Sequence, residues 1–277
     1  MALEDDGKPE NLWNSTAPWW DSLMGDTGDW FQRFVLHPAL LALLKDPKGL
    51  SILDAGCGNG HLSRFLARKG AKITAADLSK GLLERARSYE MPTDLNINYI
   101  NCDLTQPISG VIEGQFDTIV SNMVIQDVED HAALLTNLKT LLKQEGRMLI
   151  STRHPCFEPT SEKLGWLLTL PGNKTVTTGH GLSSLLESTD FKGEVFQMDH
   201  YFREVRFFRQ WTAEYQTPSF HRTLETLFSS FAEAGFSVAG IVEPSPTDEG
   251  MSVAPSLGDL LTRMPHFIIF ELRHRFD

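Results

Sequence analysis

The chain has 277 residues, 41% of them hydrophobic and 22% charged, which is typical of a folded globular protein. Its 25 basic and 36 acidic residues give a net charge of −11, which disfavours nucleic acids and anionic membrane surfaces as partners. The acidic start lacks the pattern of a signal peptide, and no apolar run reaches the roughly 18 residues that a membrane-spanning helix needs, so we expect a cytoplasmic protein.

The amino-terminal part predicts helices before any strand. We expect structure to begin near Trp13, and apolar residues recur at helical spacing from Trp19 to Leu44. Pro38 suits the first turn of a helix. Two short helices are therefore predicted between Trp19 and Leu44.

Strands and helices alternate over the next hundred residues. The predicted strands are 50–55, 72–77, 97–102, 116–122 and 147–152, and the predicted helices are 61–68, 79–89 and 130–143. Ser79 is a suitable N-cap for the second of these helices. Such alternation builds a parallel sheet with helices on both faces, an α/β architecture of the Rossmann-like kind.

The alternation stops after Thr152. Residues 154–220 are rich in Pro, Gly, Thr and aromatic side chains, and this segment is too long for a plain loop. We interpret it as an insertion over the sheet edge that carries the substrate site, with a β-hairpin around 194–212. A helix over 222–234 with Gly235 as its C-cap, a strand over 236–243, a Pro-rich crossover and a last strand over 266–273 are then predicted.

A glycine cluster follows the first predicted strand. Gly56, Gly58 and Gly60 form a G-x-G-x-G pattern directly after Asp54, where a strand turns into a helix. Glycines at such a turn let the backbone approach a ligand closely. Asp77 ends the second strand, where a ribose diol lies in nucleotide-binding βαβ units, and Asp103 follows the third.

The segments ILDAGCGNG, AADLS, NCDL, FDTIVSNMVIQDVED and GRMLIST resemble the class I S-adenosylmethionine-dependent methyltransferase family, and the resemblance covers roughly Ser51 to Thr152. It implies a seven-stranded sheet whose last strand is antiparallel. It also implies that Gly56, Gly58 and Gly60 line the methionine part of the cofactor, that Asp77 holds the ribose, and that Asp103 meets the adenine beside Leu104. Asp54 would contact the cofactor's amino group, and the predicted cofactor site also includes Cys57, Leu78 and Asn122.

The resemblance implies one methyltransferase domain. Its predicted parts are a helical lid (1–48), a cofactor-binding core (49–153), an inserted substrate cap (154–220) and the end of the core (221–277). The predicted reaction is O- or N-methylation of a small molecule, and C-methylation of a quinone-like or other aromatic ring is the alternative. The sequence does not indicate an oligomeric state.

The sequence offers several candidates for a catalytic base. His154 is preferred because it follows the fifth strand, and ligands of open α/β sheets bind beyond the carboxyl ends of the strands. A structural role in the turn before Pro155 is its alternative, and His200, Tyr201 and His221 are further candidates.

The predicted substrate contacts are Gln126, Trp19, Tyr201 and Arg203. Gln126 and Asp127 follow the fourth strand, where the resemblance implies contact with the methyl donor or acceptor. Helix capping is the alternative role for Asp127 or Asp130. The aromatic residues of the first and inserted segments would form an apolar lid or only anchor these segments: Trp13, Trp19, Trp20, Trp30, Phe157, Trp166, Phe202, Phe207, Phe208 and Trp211. Arg203, Arg206 and Arg209 would bind an acidic acceptor or form a solvated face.

Two other classes compete with this interpretation. A nicotinamide-dependent oxidoreductase also uses glycines after the first strand, but the G-x-G-x-G spacing and Asp103 count against it. The second competing class is a protein that binds the cofactor but has no catalytic activity. The three cysteines show no C-x-x-C pair, so no metal site is predicted.

Overall fold

The computed structural model describes residues 7–91, 94–157, 166–170, 174–178 and 201–275. The strands in these ranges are β1 (Ser51–Ala55), β2 (Lys72–Asp77), β3 (Asn98–Asn101), β4 (Phe116–Asn122), β5 (Leu142–Arg153), β6 (Trp166–Leu170), β7 (Lys174–Thr178), β8 (Val205–Gln210), β9 (Gln216–His221), β10 (Phe236–Val242) and β11 (Phe267–His274).

Seven of these strands form one sheet in the order β3-β2-β1-β4-β5-β11-β10. The first five are mutually parallel, whereas β11 runs antiparallel to both β5 and β10. The predicted Rossmann-like sheet with an antiparallel last strand is confirmed. The strand order reverses at β1, and the carboxyl ends of β1, β2 and β4 therefore border the crevice where such sheets bind ligands.

The helices are α1 (Pro9–Met24), α2 (His37–Leu44), α3 (His61–Ala67), α4 (Lys80–Glu90), α5 (His131–Thr140), α6 (Leu224–Glu233), α7 (Asp248–Val253) and α8 (Pro255–Arg263). A π-helical turn (Gln32–Leu36) precedes α2, and a 3-10 turn (Ile125–Asp127) follows β4.

The sheet lies between two apolar layers. Along β1, Ile52 packs into the cluster that includes Leu62 of α3, and its neighbour Leu53 packs into the cluster that includes Phe231 of α6. Successive side chains of a strand point to opposite faces, so one apolar run supplies both layers. Each fully buried side chain of this size contributes about 1.5–3 kcal/mol.

Two local predictions are confirmed, one by a hydrogen bond and one by a backbone angle. The Ser79 side chain accepts the Leu82 backbone N–H at 3.2 Å and caps α4. Gly235 follows α6 with φ +78°, the left-handed conformation that a C-terminal glycine readily adopts.

Two predicted helix boundaries were wrong. Helix α1 begins at Pro9 and not near Trp13, because proline fits the first helical position, where no N–H is needed. Helix α5 ends at Thr140 and not at Lys143, because Leu142 already pairs with Phe116 of β4.

The carboxy-terminal half also differs in detail. The described hairpin β8–β9 lies further along the chain than the predicted one, whose first residues, 194–200, are outside the described ranges. The Pro-rich crossover contains α7 and α8. Thr247 caps α7 by accepting the Gly250 N–H, and Pro255 begins α8.

The end of α1 is fixed to the glycine cluster and α3 by two polar side chains. Arg64 of α3 is fully buried, and it donates to an Asp26 carboxylate oxygen at 2.6 Å and to the Asn59 carbonyl at 2.7 Å. The Asn59 side chain donates to the Asp21 carboxylate and to the Gly25 carbonyl, both at 2.8 Å. The segment before the sheet is thereby held against the loop that follows β1.

A buried carboxyl group lies behind the glycine cluster. Asp54 is 1% exposed, and its Oδ2 lies 2.5 Å from the Ser63 hydroxyl. Burial raises the pKa of Asp54 to about 7, and the negative charge of Asp77 acts in the same direction, whereas the Ser63 hydrogen bond lowers it.

Among the helices in the described ranges, none combines the length and the apolar character that crossing a lipid bilayer requires.

Replacing Arg64 with methionine should lower the free energy of unfolding by about 3 kcal/mol, because partners of a buried cation lose their hydrogen bonds. Urea denaturation measures this loss. Arg68→Met is the matched control, since Arg68 binds the same Asp26 carboxylate at 3.0 Å but is 39% exposed. It should cost less than about 1 kcal/mol. Equal losses would contradict the role assigned to Arg64.

The free energy of unfolding of the Asp54→Asn variant, compared with that of the native chain, should increase as the pH rises from about 4 to 7. The folded protein holds the Asp54 proton up to a pKa of about 7, whereas the unfolded chain releases it near the ordinary value of 3.8. The native stability from this group is therefore full below pH 3.8 and is lost as the pH rises to about 7. Relative to the native chain, Asp54→Asn should gain up to about 1.4 kcal/mol per pH unit in this interval.

Asp117→Asn is the control, measured by the same urea titrations. The hydrogen bonds from Lys143 and from the Ser51 backbone lower the pKa of Asp117. The stability that it contributes is therefore present above pH 3.8 and is lost as the pH falls below this value. A flat difference between Asp54→Asn and the native chain from pH 4 to 7 would contradict the prediction.

Candidate active site

The glycine loop after β1 has a backbone conformation that residues other than glycine adopt only with strain. Gly56, Gly58 and Gly60 have φ values of +83°, +56° and +77°. A Cβ atom on Gly56 would lie 2.4 Å from a methyl carbon of Val124, and one on Gly60 would lie 2.8 Å from the Tyr99 hydroxyl. Both the conformation and the close packing therefore require glycine.

Asp77 at the end of β2 organises this loop. One of its carboxylate oxygens accepts the Gly58 N–H and the other accepts the Ser79 N–H, both at 2.8 Å. Burial raises the pKa of Asp77, while these two hydrogen bonds lower it, and the pKa stays above its ordinary value. Its carboxylate lines a cavity that opens above the sheet.

The end of β3 adds a second carboxylate to the same cavity. Asp103 accepts the Thr105 N–H at 2.9 Å and the Thr105 hydroxyl at 2.7 Å. Leu104 and Leu78 line the wall beside it. This side of the cavity therefore offers carboxylates next to apolar surface.

The end of β4 and the turn after it supply amides to the cavity. Asn122 donates to the Gln32 side-chain oxygen at 2.9 Å and accepts the Ser151 hydroxyl at 2.7 Å. Gln126 donates to the Met123 carbonyl at 2.6 Å, and its own oxygen accepts the Thr152 hydroxyl at 2.9 Å. Both amides are buried and have defined orientations.

Arg222 supports this turn from behind. Its guanidinium donates to the carbonyls of Ile125 (2.8 Å), Val128 (2.6 Å) and Glu129 (2.9 Å). Burial lowers the pKa of Arg222 to about 10, so the group stays charged at neutral pH. One buried cation thus holds the backbone that presents Gln126.

The cavity has a volume of about 590 Å³, which is within the usual range for small-molecule sites. Helix α1 and the β8–β9 hairpin cover it. The Trp19 and Trp20 rings lie 5.7 and 5.3 Å from the Trp211 ring, and Trp19 stacks on Tyr215 at 6.2 Å. The two covering elements meet through these aromatic contacts.

The structure brings most of the predicted site residues to this one cavity. Those that line it are Gly56, Cys57, Gly58, Asp77, Leu78, Asp103, Leu104, Asn122, Gln126 and Trp19. Asp54, which lies in β1, and Gly60, the last glycine of the loop, are not in the lining. Of the lid tryptophans, Trp13, Trp20 and Trp211 also line the cavity.

His154 does not line the cavity. Its Nε2 lies 2.9 Å from a Glu243 carboxylate oxygen, and its Nδ1 accepts the Cys156 N–H at 3.2 Å. Burial lowers its pKa, although Glu243 raises it. Both ring nitrogens therefore have partners at this turn. This is what we expect if His154 has a structural role before Pro155.

Tyr201 and Arg203 also lie outside the cavity lining. The Tyr201 hydroxyl accepts the Leu224 N–H at 2.9 Å, and its carbonyl accepts from His221 at 2.7 Å. Arg203 is exposed to solvent. His200 and the side chain of Trp166 lie outside the described part of the chain. Asp130 caps α5 by accepting the Ala133 N–H at 2.9 Å, and it lines the cavity as well, as does Asp127.

Sequence reasoning missed several lining residues: Asp29, Gln32, His61, Arg153 and His266. Arg153 is the last residue of β5 and directly precedes His154. His154 was predicted because ligands bind beyond the carboxyl ends of the strands, and the same argument applies to Arg153. His61 begins α3 directly after Gly60. Asp29 and Gln32 precede the sheet and His266 lies directly before β11, and none of them belongs to a recognisable motif.

His61 belongs to a buried histidine pair. Its Nδ1 lies 3.0 Å from Nε2 of His37, whose ring stacks on Phe65 with centroids 4.8 Å apart. Burial lowers the pKa of His37 to about 3 and holds that of His61 well below 6.5. Both rings are therefore neutral at neutral pH, and one N–H is shared between them.

No group of three or more His, Cys, Asp or Glu side chains within the described ranges is arranged to hold a metal ion.

Comparison with known proteins identifies the family. A model described as a methyltransferase domain matches residues 30–241. An uncharacterized protein from Haemophilus influenzae is 28% identical over 222 residues, which cover 78% of this chain and 79% of that protein. The ubiquinone biosynthesis O-methyltransferase of Dinoroseobacter shibae is 36% identical over 152 residues, which cover 49% of this chain and 58% of that protein.

Solved structures share the fold. An S-adenosylmethionine dependent methyltransferase from Mesorhizobium loti has a TM-score of 0.66 at 26% identity, and the match covers 86% of this chain and 96% of that one. Magnesium protoporphyrin IX methyltransferase from Synechocystis, with bound S-adenosylmethionine, has a TM-score of 0.57 at 18% identity, and the match covers both chains in full. The second likeness concerns the fold alone. With the family match and the glycine loop between β1 and α3, this chain belongs to the class I S-adenosylmethionine-dependent methyltransferases.

Proposed function

We propose that this enzyme methylates an oxygen or nitrogen atom of a small aromatic molecule that binds beside S-adenosylmethionine. One observation carries the proposal: a single cavity has the glycine loop and strand-end carboxylates on one side and a tryptophan-rich cover on the other. A space of about 590 Å³ is in the usual range for small-molecule sites.

The glycine side fits the cofactor. Asp77 presents a carboxylate at the end of β2, where it would accept the ribose hydroxyl protons. Asp103 would accept from the adenine amine, with Leu104 against the ring. Gly58 leaves open space in front of the loop, since a Cβ atom there would meet only Trp20, at 3.9 Å.

The opposite side fits an apolar acceptor. Trp19 and Trp211 close it, and Phe31 and Phe267 also line the cavity. Aromatic walls exclude water and pack well against planar rings. Gln126 adds one amide whose orientation is fixed by Thr152.

Alignment carries most of the expected catalysis. The cofactor supplies a methyl group that is already activated by its positive sulfur. The chain's task is then to hold the acceptor in line with it and to keep water out. His61 lines the cavity, but its lowered pKa makes it a poor proton acceptor, so we assign it to shaping the wall together with His37.

We assign His154 to positioning the turn after β5, because both of its ring nitrogens have partners there. Oxygen is the preferred acceptor atom. Ubiquinone biosynthesis O-methyltransferases match half of this chain at 30–36% identity, although the matches span only 55–58% of those proteins.

Asp77→Ala should weaken S-adenosylmethionine binding about 10–150-fold, because hydrogen bonds to a charged group are worth about 1.5–3 kcal/mol. Isothermal titration with S-adenosylmethionine, S-adenosylhomocysteine and NADH measures this, and the native chain should not bind NADH. Asp117→Asn is the control, since Asp117 lies near the opposite end of the parallel strands, 2.8 Å from Lys143. Unchanged affinity in a folded Asp77→Ala variant would overturn the ribose assignment.

Incubation with S-adenosylmethionine carrying a ¹³C-labelled methyl group and a panel of small phenols and aromatic amines should yield O- or N-methyl products. Nuclear magnetic resonance distinguishes these from a methyl group on a ring carbon. His154→Phe should retain at least about half of the native turnover, because the ring has only positioning contacts. A C-methyl product would overturn the proposed acceptor atom, and a loss of more than about tenfold in folded His154→Phe would restore His154 as the base.

A further inference from the structure

Asp29 brings to the cavity a carboxylate that has no cationic partner in the described part of the chain. It lies between α1 and the π-helical turn. One of its oxygens accepts the Gln32 N–H at 2.9 Å, and the Phe31 N–H also donates to this carboxylate. Burial raises the pKa of Asp29, although these hydrogen bonds lower it, so a positive charge beside it would favour the ionised form.

The backbone next to Asp29 packs against the start of α3. The preceding residue, Gly28, has φ +86°, and a Cβ atom there would lie 3.3 Å from Nδ1 of His61 and 2.6 Å from Cβ of Gln32. His61 directly follows the glycine loop and lines the cavity. The chain around Asp29 is therefore held beside this loop, with no room for a larger residue at Gly28.

Hydrogen bonds also fix the amide of Gln32, which lines the cavity three residues after Asp29. The Met123 N–H donates to the Ser151 hydroxyl at 3.0 Å, so the Ser151 O–H donates onward to Oδ1 of Asn122 at 2.7 Å. The Asn122 NH2 group then donates to Oε1 of Gln32 at 2.9 Å. The Gln32 oxygen is thereby used, and its NH2 group cannot accept a proton from a cation. On this segment the side-chain acceptor is Asp29.

The order of the strands places Asp29 at one end of the cofactor site. Asp77 and Asp103 lie at the ends of β2 and β3, on one side of β1. Gln32 bonds to Asn122 at the end of β4, on the other side of β1. With the adenosine at Asp77 and Asp103, the methionine part of S-adenosylmethionine would extend towards β1 and β4. That part carries an ammonium group, which a carboxylate binds through strong hydrogen bonds.

The residue that the sequence offered for this ammonium group is Asp54. Its side chain is 1% exposed, does not line the cavity and accepts the Ser63 hydroxyl at 2.5 Å. Asp54 therefore presents no carboxylate oxygen to a ligand in the cavity, whereas Asp29 does.

We propose that Asp29 binds the ammonium group of the methionine part of S-adenosylmethionine and that Asp54 does not. This proposal rests on the cofactor part of the proposed function, since Asp77 and Asp103 define where the adenosine lies. It makes a residue outside the sheet responsible for recognising the amino-acid end of the cofactor.

The test is isothermal titration with S-adenosylhomocysteine and with the analogue in which hydrogen replaces its amino group. The native chain should bind S-adenosylhomocysteine at least about tenfold more tightly than the analogue, because the analogue cannot donate to a charged carboxylate. In Asp29→Asn, the affinity for S-adenosylhomocysteine should fall at least about tenfold, and that for the analogue should change less than about threefold. An equal loss for both ligands, or an unchanged preference, would overturn the proposal.

The variants are chosen to preserve the turn. Asparagine keeps a side-chain oxygen that can accept the Gln32 N–H, so Asp29→Asn removes the charge and not the cap. Asp29→Ser also keeps a capping oxygen and should lose the preference in the same way. Thermal unfolding confirms that each variant is folded, and the second variant keeps the test available if the first does not fold.

Asp130→Asn is the matched control. Asp130 also caps a helix, by accepting the Ala133 N–H at 2.9 Å, and it lines the same cavity. This variant should keep the full preference for the amino group, and an equal loss of preference in Asp130→Asn and Asp29→Asn would overturn the proposed contact. Asp77→Ala should weaken both ligands alike, because both carry the ribose.

Asp54→Asn compares the two candidate carboxylates directly, and it should also keep the preference. A loss of preference in Asp54→Asn but not in Asp29→Asn would overturn the proposal and return the ammonium group to Asp54. Failure of the native chain to bind S-adenosylhomocysteine would overturn the proposed function itself. Normal binding of S-adenosylhomocysteine without a preference for its amino group overturns only the present proposal.

Discussion

The cavity depends on one buried cation, the guanidinium of Arg64. It lies in α3 directly behind the glycine loop, and it binds both the Asp26 carboxylate after α1 and the Asn59 carbonyl within the loop. A guanidinium has several donors in a fixed plane, so one side chain satisfies partners from two segments that are far apart in sequence. The glycine loop and the helix that covers the cavity are thereby held in one arrangement.

The two sides of the cavity are consequently not independent. Trp20 of α1 lies next to Gly58, while Trp19 of the same helix packs on Trp211 of the hairpin. In the middle of α1, Asn14 accepts from the Ser79 hydroxyl and the Gly81 N–H at the start of α4. One helix therefore touches the glycine loop, the segment after β2 and the acceptor cover. A displacement of this helix would therefore change both sides of the cavity at once.

The cofactor side was predictable because its signals are local. Glycines after a strand and carboxylates at successive strand ends come to one edge of a parallel sheet whenever the strands pair in register. The acceptor side was not predictable in the same way. Arg153 and His154 are neighbours, yet Arg153 lines the cavity and His154 meets Glu243. A step of one residue reverses the direction of a side chain on a strand, and only the packing of distant segments decides which direction faces the ligand.

The negative charge of the buried carboxyl groups would favour a positively charged cofactor in the cavity. Burial disfavours ionisation of Asp54, and the negative charge of Asp77 acts in the same direction. A positive sulfur atom and an amino group in the cavity would offset that repulsion and favour the ionised forms. The demethylated product has lost the positive sulfur, so the same carboxylates attract it less. In the proposed function, these carboxylates would therefore favour the methyl donor over its demethylated product by charge.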